Sequence, residues 1–189
     1  MGKLVVTEFV SIDGVFQDPG GAEDYEYGGW TFEYDRGEDG DKFKMDELMD
    51  ADVQLFGRRT YEAFAGAWPS REGPFADKIN NGAKYVVSNT LTDPTWQNTT
   101  VIAGDAADGV SKLKDETEGS ILVAGSGTLV EALLAADLVD ELRLMLFPTI
   151  LGRGQRLFPN GIDRLKFTLA ESRTVGSDGV QVQVYSRVA

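Results

Sequence analysis

Four short stretches combine small, hydroxyl-bearing and cationic residues in a way that suits anion binding. Gly57-Arg58-Arg59-Thr60 sets two guanidinium groups beside a hydroxyl, and Ser88-Asn89-Thr90 sets two hydroxyls beside an amide. Gly125-Ser126-Gly127-Thr128 offers two hydroxyls and backbone with little Cβ in the way. Ser11-Ile12-Asp13-Gly14-Val15 adds a carboxylate and another glycine. A guanidinium fork matches the oxygens of a phosphate. A glycine lets a ligand approach the backbone, and a helix start leaves N–H groups unpaired at the positive end of its dipole. Taken singly, each stretch reads equally well as an ordinary turn, and each arginine as a solvated surface residue. Four of them in one chain point to a dinucleotide.

What is missing narrows the chemistry further. The 189 residues include no cysteine and no histidine. That excludes disulfides, thiolate chemistry, a histidine-ligated zinc and a Ser-His-Asp triad. Carboxylates, hydroxyls, cations or a cofactor must do the work, and no metal site is expected. The net charge is −13, from 18 basic and 31 acidic residues. Such a surface repels nucleic acid and anionic membranes. An anionic cofactor therefore needs local cations, for which Arg58, Arg59, Arg153 and Arg156 are the candidates. No stretch has the length of a membrane helix and the N-terminus lacks a signal-peptide pattern, so a soluble cytoplasmic protein is expected.

The elements that must position these residues follow from periodicity. Ser120 to Ala124 is a short apolar run suited to a buried strand, and Thr128 to Leu134 places Leu129, Val130, Leu133 and Leu134 on one helical face. This strand, glycine turn and helix form the centre of the chain, although Val130 stands where a full dinucleotide fingerprint has its third glycine. Further strands are expected at Lys3 to Val10, Val53 to Phe56, Lys84 to Ser88, Thr99 to Ala103 and Asp140 to Phe147. Helices are expected from Asp41 to Asp50, through Tyr61 and Phe64, from Phe75 to Asn80 and from Ala106 to Thr117. Leu165 to Val175 and Val180 to Val188 alternate around Gly176-Ser177-Asp178-Gly179 like a terminal hairpin. The expectation is one α/β domain over residues 1–189: a mixed, mostly parallel sheet of about eight strands, flanking helices and a C-terminal antiparallel hairpin.

The stretch from Gln17 to Gly40 is long for a connection in such a domain and carries Tyr25, Tyr27, Trp30, Phe32 and Tyr34 among many acids. Its aromatics fit two roles, covering a planar ligand or pinning the loop to the body. Trp30 and Phe32 here, with Arg153, are the candidate substrate contacts. Asp41 begins the next predicted helix. It is either the carboxylate that holds a substrate ring and assists its protonation, or a helix-start acid favoured by the dipole.

The order Asp13-Gly14, FGRRTYE, VVSNTL, VAGSGTLVEALL and LFPTILGRGQRLF resembles the dihydrofolate reductase-like superfamily along essentially the whole chain. The branch it most resembles includes the reductase domain of bacterial riboflavin biosynthesis. The resemblance implies a dihydrofolate reductase-like fold with NADPH as hydride donor. It implies that Gly57, Arg58 and Thr60 bind cofactor phosphate, and that Ser88, Asn89 and Thr90 contact the adenosine ribose phosphate. It further implies that Gly125, Ser126, Gly127 and Thr128 touch the pyrophosphate near the nicotinamide, and that Asp13, Gly14 and Val15 lie over the nicotinamide. The implied activity is a stand-alone reductase of a small planar heterocycle, a riboflavin-pathway pyrimidine such as 5-amino-6-(5-phosphoribosylamino)uracil or a pteridine, and a homodimer is expected. Two other readings fit the same turns: a non-catalytic nucleotide-binding module and a flavin-binding oxidoreductase.

Overall fold

A computed structural model of the chain describes residues 1–159 and 162–188. The expected strands form a single eight-stranded sheet, β1 (Lys3–Ser11), β2 (Val53–Gly57), β3 (Ala83–Val87), β4 (Thr99–Ile102), β5 (Ser120–Ala124), β6 (Glu141–Phe147), β7 (Phe167–Val175) and β8 (Val180–Arg187). Their order is β4-β3-β2-β5-β1-β6-β8-β7. The first six strands pair in parallel, while β8 is antiparallel to both β6 and β7. The terminal hairpin thus folds back so that its second strand meets β6 and its first becomes the outer edge.

Five helices cover the sheet: α1 (Gly37–Asp50), α2 (Arg58–Ala67), α3 (Pro74–Asn81), α4 (Ala106–Glu116) and α5 (Gly127–Ala135). The alternation of β1 decides which side each residue serves. Leu4, Val6 and Val10 join the core under α4 and α5, with Val110, Leu113, Val130 and Leu133. Val5 joins the opposite core, with Leu48 of α1, Tyr61 of α2 and Ile79 of α3. Helix α2 forms because Tyr61, Phe64, Ala65 and Trp68 recur at helical spacing and all pack into that core. Tyr61 is fully buried, the others partly, and full burial of a large apolar side chain contributes about 1.5–3 kcal/mol. Strand β6, with Leu142, Leu144, Met145 and Phe147 buried, receives its cover from within the chain.

Helix α1 begins at Gly37, so Asp41 lies inside it rather than at its start. Glu38 and Asp39 occupy the first turn, where the dipole favours acids. The glycine at position 40, which reads as a breaker on sequence, permits a close approach. A Cβ there would lie 2.9 Å from the Arg36 Cβ and 3.3 Å from Val175 Cγ2. Upstream, Trp30–Glu33 forms one turn of 3-10 helix within the long loop.

The registers place one gap. Strand β1 pairs with β5 from Lys3↔Ser120 to Thr7↔Ala124, where β5 ends. It continues beside β6 to Ser11↔Phe147. From Glu8 onward the side of β1 that faced β5 is therefore free, and the Gly125 turn stands next to it. A parting of strands at their carboxyl ends is where open α/β sheets place their ligands.

Candidate active site

The four predicted turns all sit at the carboxyl ends of neighbouring strands β1, β5, β2 and β3, and side chains tie three of them together. Ser126 Oγ accepts from the Gly57 N–H at 2.7 Å and donates to Thr60 Oγ1 at 2.9 Å, joining the β5 turn to the β2 turn. Arg58 donates through Nη1 to Thr90 Oγ1, joining the β2 turn to the β3 turn. Gly125 has φ +63° and Ser126 φ +71°, a left-handed pair that only the first residue adopts without strain. Ser126 is held there by its two hydrogen bonds. Among the described residues, no side chain caps the start of α2 at Gly57 or the start of α5 at Ser126. Two helix starts thus present free N–H groups beside Arg58, Arg59 and Thr128. Arg59 has no carboxylate partner among the described residues, whereas Arg58 shares its charge with Glu62 at 2.7 Å.

Ser88 and Asn89 hold their own turn in shape. Ser88 Oγ accepts from the N–H groups of Thr90 and Leu91, and Asn89 Oδ1 accepts from the Gly104 N–H at 2.6 Å. Asp13 is likewise an anchor. Its carboxylate accepts from Ser11 Oγ at 2.7 Å, from the Leu151 N–H at 3.1 Å and from the Gly152 N–H at 2.9 Å. Burial pushes its pKa up, but these hydrogen bonds outweigh it and hold the carboxyl below the usual value. Gly14, at φ +82°, turns the chain so that Val15 bridges Arg156 and is fully buried. Phe16 then lies on Gly127, where a Cβ would come within 2.2 Å of its ring. The β1 loop therefore rests directly on the glycine turn.

The substrate candidates separate. Trp30 is buried, packs edge-on against Phe147 at 5.3 Å and donates to the Gln17 carbonyl, so it pins the loop. Phe32 is 79% exposed and lines an open depression of about 460 Å³ with Tyr34, Arg36 and Asp41. Asp41 accepts from Arg36 Nε at 2.6 Å. Arg153 pairs with Glu26 at 3.0 Å and covers the Tyr27 ring. Among the described residues no group of three or more metal-ligating side chains gathers, and no helix is long and apolar enough to cross a membrane.

Residues 2–181 match the RibD C-terminal domain family. The chain belongs to that family. It is 27% identical over 185 residues to the uncharacterised protein YyaP of Bacillus subtilis (strain 168), covering 95% of this chain and 93% of that one. It is 29% identical over 174 residues to YwjB of the same organism, also uncharacterised, covering 92% of each. Among solved structures it resembles a putative riboflavin biosynthesis protein from Shewanella sp. PV-4, at TM-score 0.79 and 23% identity over 99% of both chains. A pyrimidine reductase-like protein from Corynebacterium diphtheriae aligns at TM-score 0.65 and 15% identity over 99% of this chain and 92% of that one. These two structural likenesses concern the fold.

This RibD C-terminal domain also holds charged residues at the site that sequence reasoning missed. Glu8 is 4% exposed, stands where β1 and β5 part, and its Oε1 has no hydrogen-bond partner among the described residues. Burial pushes its carboxyl up to about 8, against the pull of Lys44 and the Gly125 N–H, while Glu47 adds to the push. On the other side of β1, Lys44 Nζ donates to Thr7 Oγ1 and pairs with Glu47, both at 2.6 Å, and Thr7 Oγ1 donates in turn to Glu47. This triad is closed and satisfied. An isolated Glu in an apolar strand and a Lys three residues before a Glu on a helix both read as surface charge, so only the fold shows them buried. One signal was available: Glu8 interrupts an otherwise apolar alternation that includes Leu4, Val6 and Val10.

Proposed function

We propose that this protein is an NADPH-dependent reductase that passes hydride to a small planar heterocycle, a pyrimidine of the riboflavin pathway or a pteridine. The observation that carries the reading is the junction of three strand-end turns through Ser126 and Arg58, with two uncapped helix starts opening onto it. That donor set fits a phosphate-bearing cofactor. The dipole at each helix start and the guanidinium of Arg58 all favour anionic oxygens, in a chain whose overall charge would otherwise repel them.

The cofactor supplies the hydride when bound. The chain's part is to hold and orient. Gly57, Arg58, Arg59 and Thr60 hold phosphate oxygens at the start of α2, with Ser88, Asn89 and Thr90 shaping the neighbouring turn. Gly125, Ser126, Gly127 and Thr128 take the pyrophosphate at the start of α5. Asp13 fixes the loop of Gly14 and Val15 against the Leu151–Gly152 backbone, so the nicotinamide side of the site is walled by a rigid turn. The depression lined by Phe32, Arg36 and Asp41 takes the substrate ring. Calorimetry with NADPH and NADH tests this: NADPH binds, and binds more tightly than NADH. No heat from either at millimolar concentration overturns the reading.

A two-fold homodimer belongs to the same proposal. Edge strand β7 is exposed along Thr168 to Ser172 and unpaired on its outer side, and isologous pairing is the common way to cover such an edge. Light scattering that returns the 20.6 kDa monomer mass at micromolar concentration would refute it.

A further inference from the structure

We propose that Glu8 is the proton donor of the reduction, passing the proton of its carboxylic acid to the heteroatom of the C=N or C=O bond that receives the hydride. This rests on the reductase reading above. The geometry comes first. Glu8 sits one residue past Thr7↔Ala124, the last pair between β1 and β5, so on that side β1 borders an opening, while on the other side Glu8 pairs with Leu144 of β6. Phe16 closes over Gly127 in the adjacent turn. One oxygen is buried with no partner among the described residues. A buried polar atom left unpaired is destabilising, and a ligand group in the opening would remove that cost.

The charge environment suits a stored proton. Lys44 and Glu47 of α1 are the charged groups that act on Glu8, and they are paired with each other at 2.6 Å. The residues facing it from β5, its turn and β6, namely Ala124, Gly125 and Leu144, carry no titratable group. Burial therefore prevails, and the carboxyl titrates at about 8. A carboxylic acid that is neutral near pH 7 is the form a proton donor needs.

The step balances. The C–H bond of the reduced nicotinamide breaks as a C–H bond forms on the substrate, and the π pair of the C=N or C=O bond moves to the heteroatom. The O–H bond of Glu8 breaks as the heteroatom gains that proton. The cofactor is oxidised by two electrons, the substrate is reduced by two, and the Glu8 carboxylate recovers a proton from water. The product state thus pairs a Glu8 carboxylate with a cationic nicotinamide ring, and this gives a test that needs no substrate.

Calorimetry at pH 7 in buffers of different ionisation enthalpy counts protons released on binding. NADP⁺ should release close to one proton more than NADPH, because only the cationic ring favours the Glu8 carboxylate. The 2′-phosphate is common to both nucleotides, so it drops out of the difference. In Glu8→Gln the difference should vanish, with NADPH affinity within about threefold of the parent. Glu8→Asp should restore it. The amide copies the neutral acid in shape, so the variant should fold, and its melting temperature is the control. Equal proton counts in the parent, or a difference that persists in Glu8→Gln, would overturn the assignment while leaving nucleotide binding standing. Failure of the parent to bind either nucleotide would overturn the reductase reading and this proposal with it. Independently, ¹³C NMR of the Glu8 carboxyl in the free protein should show a midpoint near 8. A midpoint in the ordinary carboxylate range would also overturn the proposal.

Discussion

The two ends of the same sheet treat backbone and charge in opposite ways. At the amino end, side chains close the strand starts. Asp140 accepts from the Leu4 N–H at 2.6 Å, Asp52 accepts from the Ser120 N–H at 2.8 Å, and Lys114 joins Asp140 at 2.6 Å to the Leu138 carbonyl at 2.7 Å. Lys84, fully buried at the start of β3, donates to the carbonyls of Ile79, Asn80 and Gly82 and so finishes helix α3. Glu141 is flanked by Lys3 and Arg143, both at 2.7 Å. At the carboxyl end, two helix starts lack side-chain caps, a serine sits in left-handed backbone and a buried glutamate oxygen has no partner. Among the described residues the amino end leaves only the neutral side-chain oxygens of Gln54 and Thr99 without partners, whereas the carboxyl end leaves a carboxyl group and two helix starts open, which suits it to meet a ligand. The amino end supplies the stability that lets the other remain open.

Breaking the amino end should cost stability without touching the ligand. Lys84→Met keeps the bulk of the side chain but removes a donor from three carbonyls, leaving those of Ile79 and Asn80 with one side-chain amide each, so a loss of about 3 kcal/mol is expected. Thermal unfolding should show a melting temperature lower by roughly 6–12 °C, at ~2–4 °C per kcal/mol for a chain of this size. Calorimetry should find NADPH affinity unchanged. The reverse pattern is expected at the other end. Arg58→Ala removes an exposed cation whose pair with Glu62 contributes about 0–1 kcal/mol to folding, yet should weaken NADPH binding by about 1.5–3 kcal/mol. Arg58→Lys should recover only part, because an ammonium lacks the planar fork. A large stability loss in Arg58→Ala with intact affinity would erase the distinction between the two ends.

The open end was the more legible in sequence. Its turns are built from glycines, hydroxyls and arginines that are adjacent in the chain, so local spacing located Gly57–Thr60, Ser88–Thr90 and Gly125–Thr128. The bonds from Ser126 to Gly57 and from Arg58 to Thr90 join residues far apart in sequence and needed the sheet order. The closed end was illegible for the same reason: Asp140, Asp52 and Lys114 read as surface charge until the fold brings strand starts to them. Periodicity located every strand, but it could not say that β8 rather than β7 meets β6. It also could not say that a glycine at position 40 belongs inside α1, since that depends on how closely Arg36 and Val175 approach.

Two of the buried glutamates, Glu141 and Glu8, sharpen the comparison through pH. Burial alone would raise Glu141, but hydrogen bonds from Lys3 and Arg143 outweigh it and hold its pKa below the usual 4.5. Its contribution is therefore complete above that value and is lost as pH falls through the lower folded pKa. Glu8 is raised to about 8. The native state keeps a proton that the unfolded chain has lost, so stability declines as pH rises from 4.5 to about 8. Melting curves from pH 3 to pH 9 should show the advantage of the parent over Glu141→Gln, about 2 kcal/mol at neutral pH, shrinking in acid. Glu8→Gln should instead gain on the parent between pH 5 and pH 8. Parallel curves for all three proteins would mean that neither glutamate is perturbed.

The smallest expected effect concerns Asp41, which stands at the rim rather than at either end. Its carboxylate is exposed and pairs with Arg36, whose guanidinium also lies 5.4 Å from the centre of the Phe9 ring. As part of the fold it contributes little, because a solvated ion pair contributes about 0.2–1 kcal/mol. As a substrate contact it can hold ring N–H groups at the mouth of the depression, with Arg36 fixing its direction and Phe32 beside it. Water competes at such a rim, so the loss on Asp41→Asn should be modest. We expect kcat/KM for a reducible pyrimidine or dihydropterin to fall roughly fivefold, about 1 kcal/mol, mostly through KM, with NADPH affinity intact. Arg36→Gln should produce a weaker form of the same change, since it frees the carboxylate without removing it. Unchanged kinetics with a melting temperature lowered by a degree or two would make Asp41 a helix residue only. The substrate ring would then have to be held deeper, at the opening beside Glu8 where β1 and β5 part.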